Sequence, residues 1–190
     1  MQKKSANIVV LISGSGSNLQ SIIDNADSIG VKIQSVISNK ANAFGLERAK
    51  NAGINTQVIE HTDFASRKDF DHTLINHINT FNPDLIILAG FMRILSADFI
   101  DTFAGKILNI HPALLPKYKG LNTHQRALDA GDSKAGASVH FVTNELDSGE
   151  VILQKSVAID ANDNAATLAK KVLKQEHILY PEAIKKVLQG

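Results

Sequence analysis

Short unbroken apolar runs alternate along this chain with segments whose apolar positions recur every three or four residues. NIVVLI (residues 7–12) is the first unbroken run, the pattern of a strand buried on both faces. SNLQSIIDNA follows, with Leu19, Ile22, Ile23 and Ala26 at helical spacing. The alternation continues as KIQSVIS (strand), AFGLERAKNAG (helix, ended by Gly53), NTQVIE (strand) and SRKDFDHTLINHINTF (helix). Pro83 punctuates it, and DLIILAG is another continuous apolar strand. SADFIDTFAG reads as a short helix with Ser96 as its N-cap, and KILNI as the fifth strand. This order predicts an α/β fold: a doubly wound, mostly parallel sheet with helices on both faces and right-handed crossovers.

After Gly120 the pattern changes. THQRALDAG predicts a helix, and residues 137–142 and 151–159 predict two strands joined by a polar loop, a late antiparallel addition to the sheet. A long C-terminal helix is expected over about residues 165–188, interrupted at Pro181. No linker, repeat or low-complexity tract divides the chain, so a single domain over residues 1–190 is expected. Within it, residues 1–90 form the half nearer the glycine loop and 91–190 the half with the later motifs.

The charge balance narrows the partners. Twenty Lys and Arg stand against 19 Asp and Glu, a formal net charge of +1. No bulk field favours nucleic acid or an anionic membrane, so any anion must be held by a local site. There is no cysteine, which removes disulfides, a thiol nucleophile and thiolate metal sites. Lys3 and Lys4 precede an apolar run too short for a signal-peptide core, and no run approaches a membrane span. A cytoplasmic protein is expected.

SGSGSN (residues 13–18) joins the first strand to the first helix. In open α/β sheets ligands sit beyond the carboxyl ends of the strands. A Gly/Ser turn there lets backbone N–H groups converge on an anion, aided by the helix N-terminus. Three named motifs fail, however. The dinucleotide fingerprint needs glycine where Leu19 stands, the P-loop needs Gly-Lys-Ser/Thr, and the nucleophile elbow needs Gly-x-Ser-x-Gly, which Gly14 to Asn18 do not supply. Two readings stand: a phosphate site, or a tight turn that caps the helix.

LNIHP presents a second constellation. Residues two apart on a strand share a face, so Asn109 and His111 point the same way, and Pro112 stops further pairing. An amide can donate to a developing oxyanion, and an imidazole can move protons at neutral pH. The alternative is that both merely satisfy backbone groups where the strand ends. Asp147, in ELDSGEV, adds a carboxylate on a loop; beside a histidine it would favour imidazolium, and otherwise it makes a local turn. His72 and His77 are five apart, not the four of a helical metal pair, and His140, inside a strand, reads as a satisfied core histidine.

Taken in order, ISGSGSNLQ, SNK, GLERAKNAG, ILAGFMRIL, LNIHPALLPKYKG, SVHFVTNELDSG, VILQ and QEHILYP give the chain a resemblance. It resembles the phosphoribosylglycinamide formyltransferases, folate-dependent enzymes of purine synthesis, over nearly its whole length. The resemblance implies a Rossmann-like formyltransferase fold, with a phosphate-binding half over about residues 1–90 and a folate and catalytic half over about residues 91–190. It implies Asn109, His111 and Asp147 as catalytic residues, and Gly16, Ser17 and Asn18 as the loop for the substrate phosphate. It places Glu176 near the substrate amine. Arg67, Met92, Arg93, Ile94, Leu95 and Asn109 would face the folate, and residues 143–147 would close over its pterin.

The implied co-substrate is 10-formyltetrahydrofolate, with no metal. The implied partners are small molecules, in a monomer or weak homodimer. Three positions depart from the family pattern: Lys119 stands where a proline is usual, Asn122 where bacterial relatives have histidine, and Asn144 where an acid is usual.

Two other classes remain at this stage. One is a formyl-folate enzyme with a different acceptor, a methionyl-tRNA formyltransferase or a formyl-tetrahydrofolate hydrolase. Each carries an additional domain for which this chain is expected to lack the length. The other is a non-catalytic phosphate-binding α/β module, which leaves Asn109, His111 and Asp147 as coincidence.

Overall fold

The computed structural model describes residues 5–190; the basic residues Lys3 and Lys4 lie outside them. Seven strands form one sheet in the order β3-β2-β1-β4-β5-β6-β7. They are β1 (Ala6–Ile12), β2 (Val31–Ser38), β3 (Thr56–Val58), β4 (Leu85–Leu88), β5 (Ile107–His111), β6 (Lys134–Phe141) and β7 (Val151–Ala158). The helices are α1 (Ser17–Ile29), α2 (Gly45–Asn51), α3 (Arg67–Asn79), α4 (Ala97–Thr102), α5 (Thr123–Asp129) and α6 (Ala165–Gln189). β1 pairs in parallel with β2 and β4, β2 in parallel with β3, and β6 antiparallel with β7. The expected mostly parallel sheet with a late antiparallel strand is therefore present. By internal packing the chain forms two compact units, one ending at Leu108 and one running Asn109–Gly190.

In the first unit, Ile8 to Ile12 of β1 are wholly inaccessible to solvent, as their unbroken apolar run predicts. Each such side chain stabilises the fold by roughly 1.5–3 kcal/mol. α1 lays Leu19 and Ile22 into the same core, and α3 adds Phe70, Leu74 and Ile78. Ser66 caps α3 through the Asp69 amide, and Ser96 caps α4 through the Phe99 amide, as expected for Ser96.

In the second unit α6 is the dominant helix. Its start is closed by a reciprocal cap between Asn164 and Thr167, and it buries Leu168, Val172, Leu179, Tyr180 and Ile184. The expected interruption at Pro181 does not occur; the helix runs unbroken through it for 25 residues. Pro181 is buried among the residues that α6 sets into the core, and that packing outweighs the one backbone hydrogen bond proline removes. Two smaller differences follow from weak local signals. β6 begins at Lys134, before the apolar run, because its pairing with Ala158 of β7 extends the ladder. A 3-10 turn at His61–Asp63, which no periodicity marks, follows the short β3.

Candidate active site

In the first unit the glycine loop is tied down from several sides. The Ser13 hydroxyl, at the end of β1, donates to Asn39 Oδ1 at 2.5 Å and accepts from the Met92 amide at 2.8 Å. One side chain thus fixes the ends of β1 and β2 and the segment after β4. Gly16 has φ +70°, and a Cβ there would stand 2.5 Å from the Gly45 Cα, so both conformation and space require glycine. The Gly45 amide donates to the Gly14 carbonyl at 3.0 Å, and Arg48 Nε donates to the Ser15 carbonyl at 2.8 Å. α1 starts with neither a capping side-chain bond nor an acidic residue in its first turn. Its N-terminal N–H groups therefore keep the partial positive charge that favours an anion. Ser17 is half-buried and Asn18 buried at this helix start.

The segment Met92 to Leu95 belongs to the same unit. Arg67, at the start of α3, donates to the Leu95 carbonyl, and its Nε lies 4.0 Å from Asp71 Oδ2. That carboxylate also accepts from the Ser96 amide at 2.6 Å. Arg67 therefore acts as a brace that sets the path of residues 92–95. Leu95 is buried, whereas Met92 and Ile94 are about two-thirds exposed, an apolar pair facing water. Arg93 keeps its Nε buried without a hydrogen-bond partner.

The second unit brings together Asn109, His111 and Asp147. β5 ends at His111, and Asn109 lies two residues before it on the same face. His111 Nε2 lies 2.8 Å from the Tyr118 carbonyl. A carbonyl only accepts, so Nε2 carries the hydrogen, and Nδ1 is the nitrogen free to gain or lose a proton. Nδ1 faces Asp147 Oδ2 at 3.5 Å. Both side chains of this pair are more than nine-tenths buried. Asp147 has φ +47° and takes a hydrogen bond from the Gly120 amide at 2.8 Å on the same oxygen. Gly149 closes the loop where no side chain fits: a Cβ there would stand 1.8 Å from the Phe141 carbonyl oxygen.

A fourth group completes the cluster. His140, near the end of β6, places Nδ1 2.8 Å from the Phe141 carbonyl, so Nδ1 carries that ring's hydrogen. Its Nε2 is then a bare acceptor, 3.2 Å from Asn109 Nδ2. The Asn109 amide is thereby oriented with its nitrogen toward His140. Burial is the largest influence on His140 and holds it below the ordinary histidine value, which keeps Nε2 free to accept. Asp147 Oδ1 lies 3.7 Å from the same Nε2. An oriented amide, a proton-carrying imidazole and a buried carboxylate suit the stabilisation of an oxyanion coupled to proton movement.

Of the residues expected from sequence, Asn109, His111 and Asp147 come together, joined through His140 and the Tyr118–Gly120 backbone. Glu176 lies buried on α6. Gly16, Ser17 and Asn18 form the start of α1, and Arg67 with residues 92–95 forms the braced segment, both in the first unit. His140 is the satisfied buried histidine that its place inside a strand suggested, and its Nε2 also accepts from Asn109. Its position offered a signal, because a histidine at the carboxyl end of a buried strand sits where His111 sits on the neighbouring strand. His72 and His77 lie on α3 in the first unit, and the described residues hold no group of three or more acidic or histidine side chains that could bind a metal. No helix among them is long and apolar enough to cross a membrane.

Comparison with known proteins gives the family. The family model described as formyl transferase matches residues 6–184. The chain is 54% identical over 180 residues to the phosphoribosylglycinamide formyltransferase of Escherichia coli (strain K12), covering 94% of this chain and 85% of that protein. The crystal structure of phosphoribosylglycinamide formyltransferase from Brucella melitensis superposes with a TM-score of 0.94 at 46% identity, covering 98% of this chain and 97% of that one. The chain is also 45% identical to part of the human trifunctional purine biosynthetic protein adenosine-3, spanning 19% of that protein's length. The chain belongs to the formyl transferase family.

Proposed function

We propose that this protein transfers a formyl group from 10-formyltetrahydrofolate to the amine of 5'-phosphoribosylglycinamide, a step of purine biosynthesis. The observation that carries this reading is the buried cluster of Asn109, His111, His140 and Asp147. The identity to phosphoribosylglycinamide formyltransferases over nearly the whole chain supports the choice of substrate. In this reading the amine attacks the formyl carbon and negative charge builds on the formyl oxygen. Asn109, oriented by His140, donates to that oxygen, and the charge of a doubly protonated His111 stabilises it. Nδ1 of His111 exchanges a proton with the reacting nitrogens through water, and Asp147 stabilises the ring while it is charged. No covalent enzyme intermediate is needed.

Gly16, Ser17 and Asn18 are assigned to the substrate phosphate and Glu176 to the region of its amine. Arg67 and residues 92–95 are assigned to the folate side, where the exposed Met92 and Ile94 suit a flat, partly apolar ring. The same reading makes this a cytoplasmic enzyme of small molecules, a monomer or weak homodimer. The test is direct. Purified protein is supplied with formyl-folate and phosphoribosylglycinamide, and the deformylated folate and N-formyl product are measured. Stoichiometric appearance of both is expected. Release of formate without the N-formyl product, or no turnover, overturns the assignment.

A further inference from the structure

The catalytic pair His111 and Asp147 is held by one short backbone segment. The Tyr118 carbonyl takes His111 Nε2 and the Gly120 amide holds Asp147 Oδ2. What fixes this segment lies outside the cluster. The Tyr118 hydroxyl donates to Asp132 Oδ2 at 2.6 Å, and Lys117 donates to Asp132 Oδ1 at 3.1 Å. Arg126 of α5 donates to the Lys119 carbonyl at 2.6 Å, and its guanidinium stands 5.1 Å over the Tyr118 ring. A cavity of about 260 Å³ opens beside Tyr118 and Asp132, bordered also by Pro112, Leu114 and Thr123. With open volume on that side, polar ties rather than close-packed side chains set the height of the segment. Consistently, the bond from Tyr118 holds Asp132 below the usual carboxylate range and raises the Tyr118 phenol.

We propose that Tyr118 and Asp132 are positioning residues: their hydrogen bond sets the Tyr118 carbonyl and the Gly120 amide, and through them the geometry of the His111–Asp147 pair. The proposal rests on the reading of His111 as the proton-handling group. It assigns a role in turnover to a side chain, Asp132, that touches none of the reacting groups.

The first measurement does not depend on activity. In ring nitrogen–proton correlation spectra of the full chain, the His111 Nε2 hydrogen should exchange slowly with water in the wild type and markedly faster in Tyr118→Phe. The second is kinetic. Tyr118→Phe and Asp132→Ala should each lower kcat about five- to tenfold, the worth of one hydrogen bond, with KM for both substrates within about twofold. Asp132→Asn, whose amide oxygen still accepts from the hydroxyl, should keep most of the rate. In a His111→Ala background Tyr118→Phe should have no further effect, because it acts through the absent ring.

A loss of rate that persists undiminished in that background would mark a general structural effect and overturn the proposal. So would unchanged kcat and unchanged ring-hydrogen exchange in Tyr118→Phe. Wild-type turnover in His111→Ala alone would instead refute the catalytic reading, while the exchange measurement would still decide whether Tyr118 positions the ring.

Discussion

His140→Ala removes the acceptor that orients Asn109 and leaves everything else in the cluster in place. The wild-type arrangement is fixed by tautomer: Nδ1 is committed to the Phe141 carbonyl at 2.8 Å, so Nε2 accepts from Asn109 at 3.2 Å. Truncation leaves a partly buried amide N–H₂ without that partner and free to rotate. The loss of one such bond with incomplete compensation costs about 1–2 kcal/mol. If that cost falls on the transition state, where Asn109 must donate, kcat drops about five- to thirtyfold. His140→Gln, whose side-chain oxygen also accepts, should recover a good part of the rate.

The assay is the spectrophotometric appearance of deformylated folate under saturating substrates, with thermal melts to establish that each variant is folded. There is also a pH signature. Burial holds folded His140 below the ordinary histidine value, whereas the unfolded chain takes up this proton near about 6.5. Between those two values the unfolded state binds more protons. The stability owed to a neutral His140 is therefore present above about pH 6.5 and is lost as the pH falls toward the folded value. His140→Gln should flatten that part of the stability curve. Wild-type kcat in His140→Ala, or the same loss in His140→Ala and His140→Gln, would refute the argument that an acceptor at this position orients the amide.

Other outcomes are expected on the same grounds. His111→Ala should lower kcat on the order of 10²–10⁴-fold and Asn109→Ala on the order of 10²–10³-fold, measured as initial rates. The double variant should lose much less than the product of the two, because both groups act on one transition state. Gly16→Val forces a side chain into a left-handed backbone position 2.5 Å from the Gly45 Cα. It should raise KM for the phosphorylated substrate well above any change in KM for the folate, and equal changes in both would count against a phosphate loop. Asp163, whose carboxyl Lys171 holds down to about 2, contributes stability that is present above about pH 3.8 and lost as the pH falls toward 2. Lys171→Met should raise the pH at which acid unfolding begins, read by circular dichroism, and an unchanged acid limb would show that the pair is idle.

The sheet was legible because each strand advertises its own burial: the run Ile8 to Ile12 can only be a two-sided core strand, and all five side chains are fully buried. Asn109 and His111 were legible for a related reason. The period of two fixes that the pair shares a face, and leaves open whether it performs chemistry or satisfies backbone groups where the strand ends. What local pattern cannot encode is which distant group answers which. Nothing in the spacing of His140 distinguishes a histidine that fills a core from one that takes a hydrogen bond 31 residues away, because both require the same burial. Pro181 failed for the opposite reason. Its local rule is sound, but the burial of its neighbours Leu179, Tyr180, Ala183 and Ile184 outweighs the one lost backbone bond. The hold on His111 shows the limit most sharply. It runs through the carbonyl of Tyr118, and a carbonyl is the one feature every residue shares. A sequence can nominate a residue for the chemistry. The main-chain hold on the His111–Asp147 pair becomes visible only when the side chains that anchor that main chain, here Tyr118 on Asp132, are seen in place.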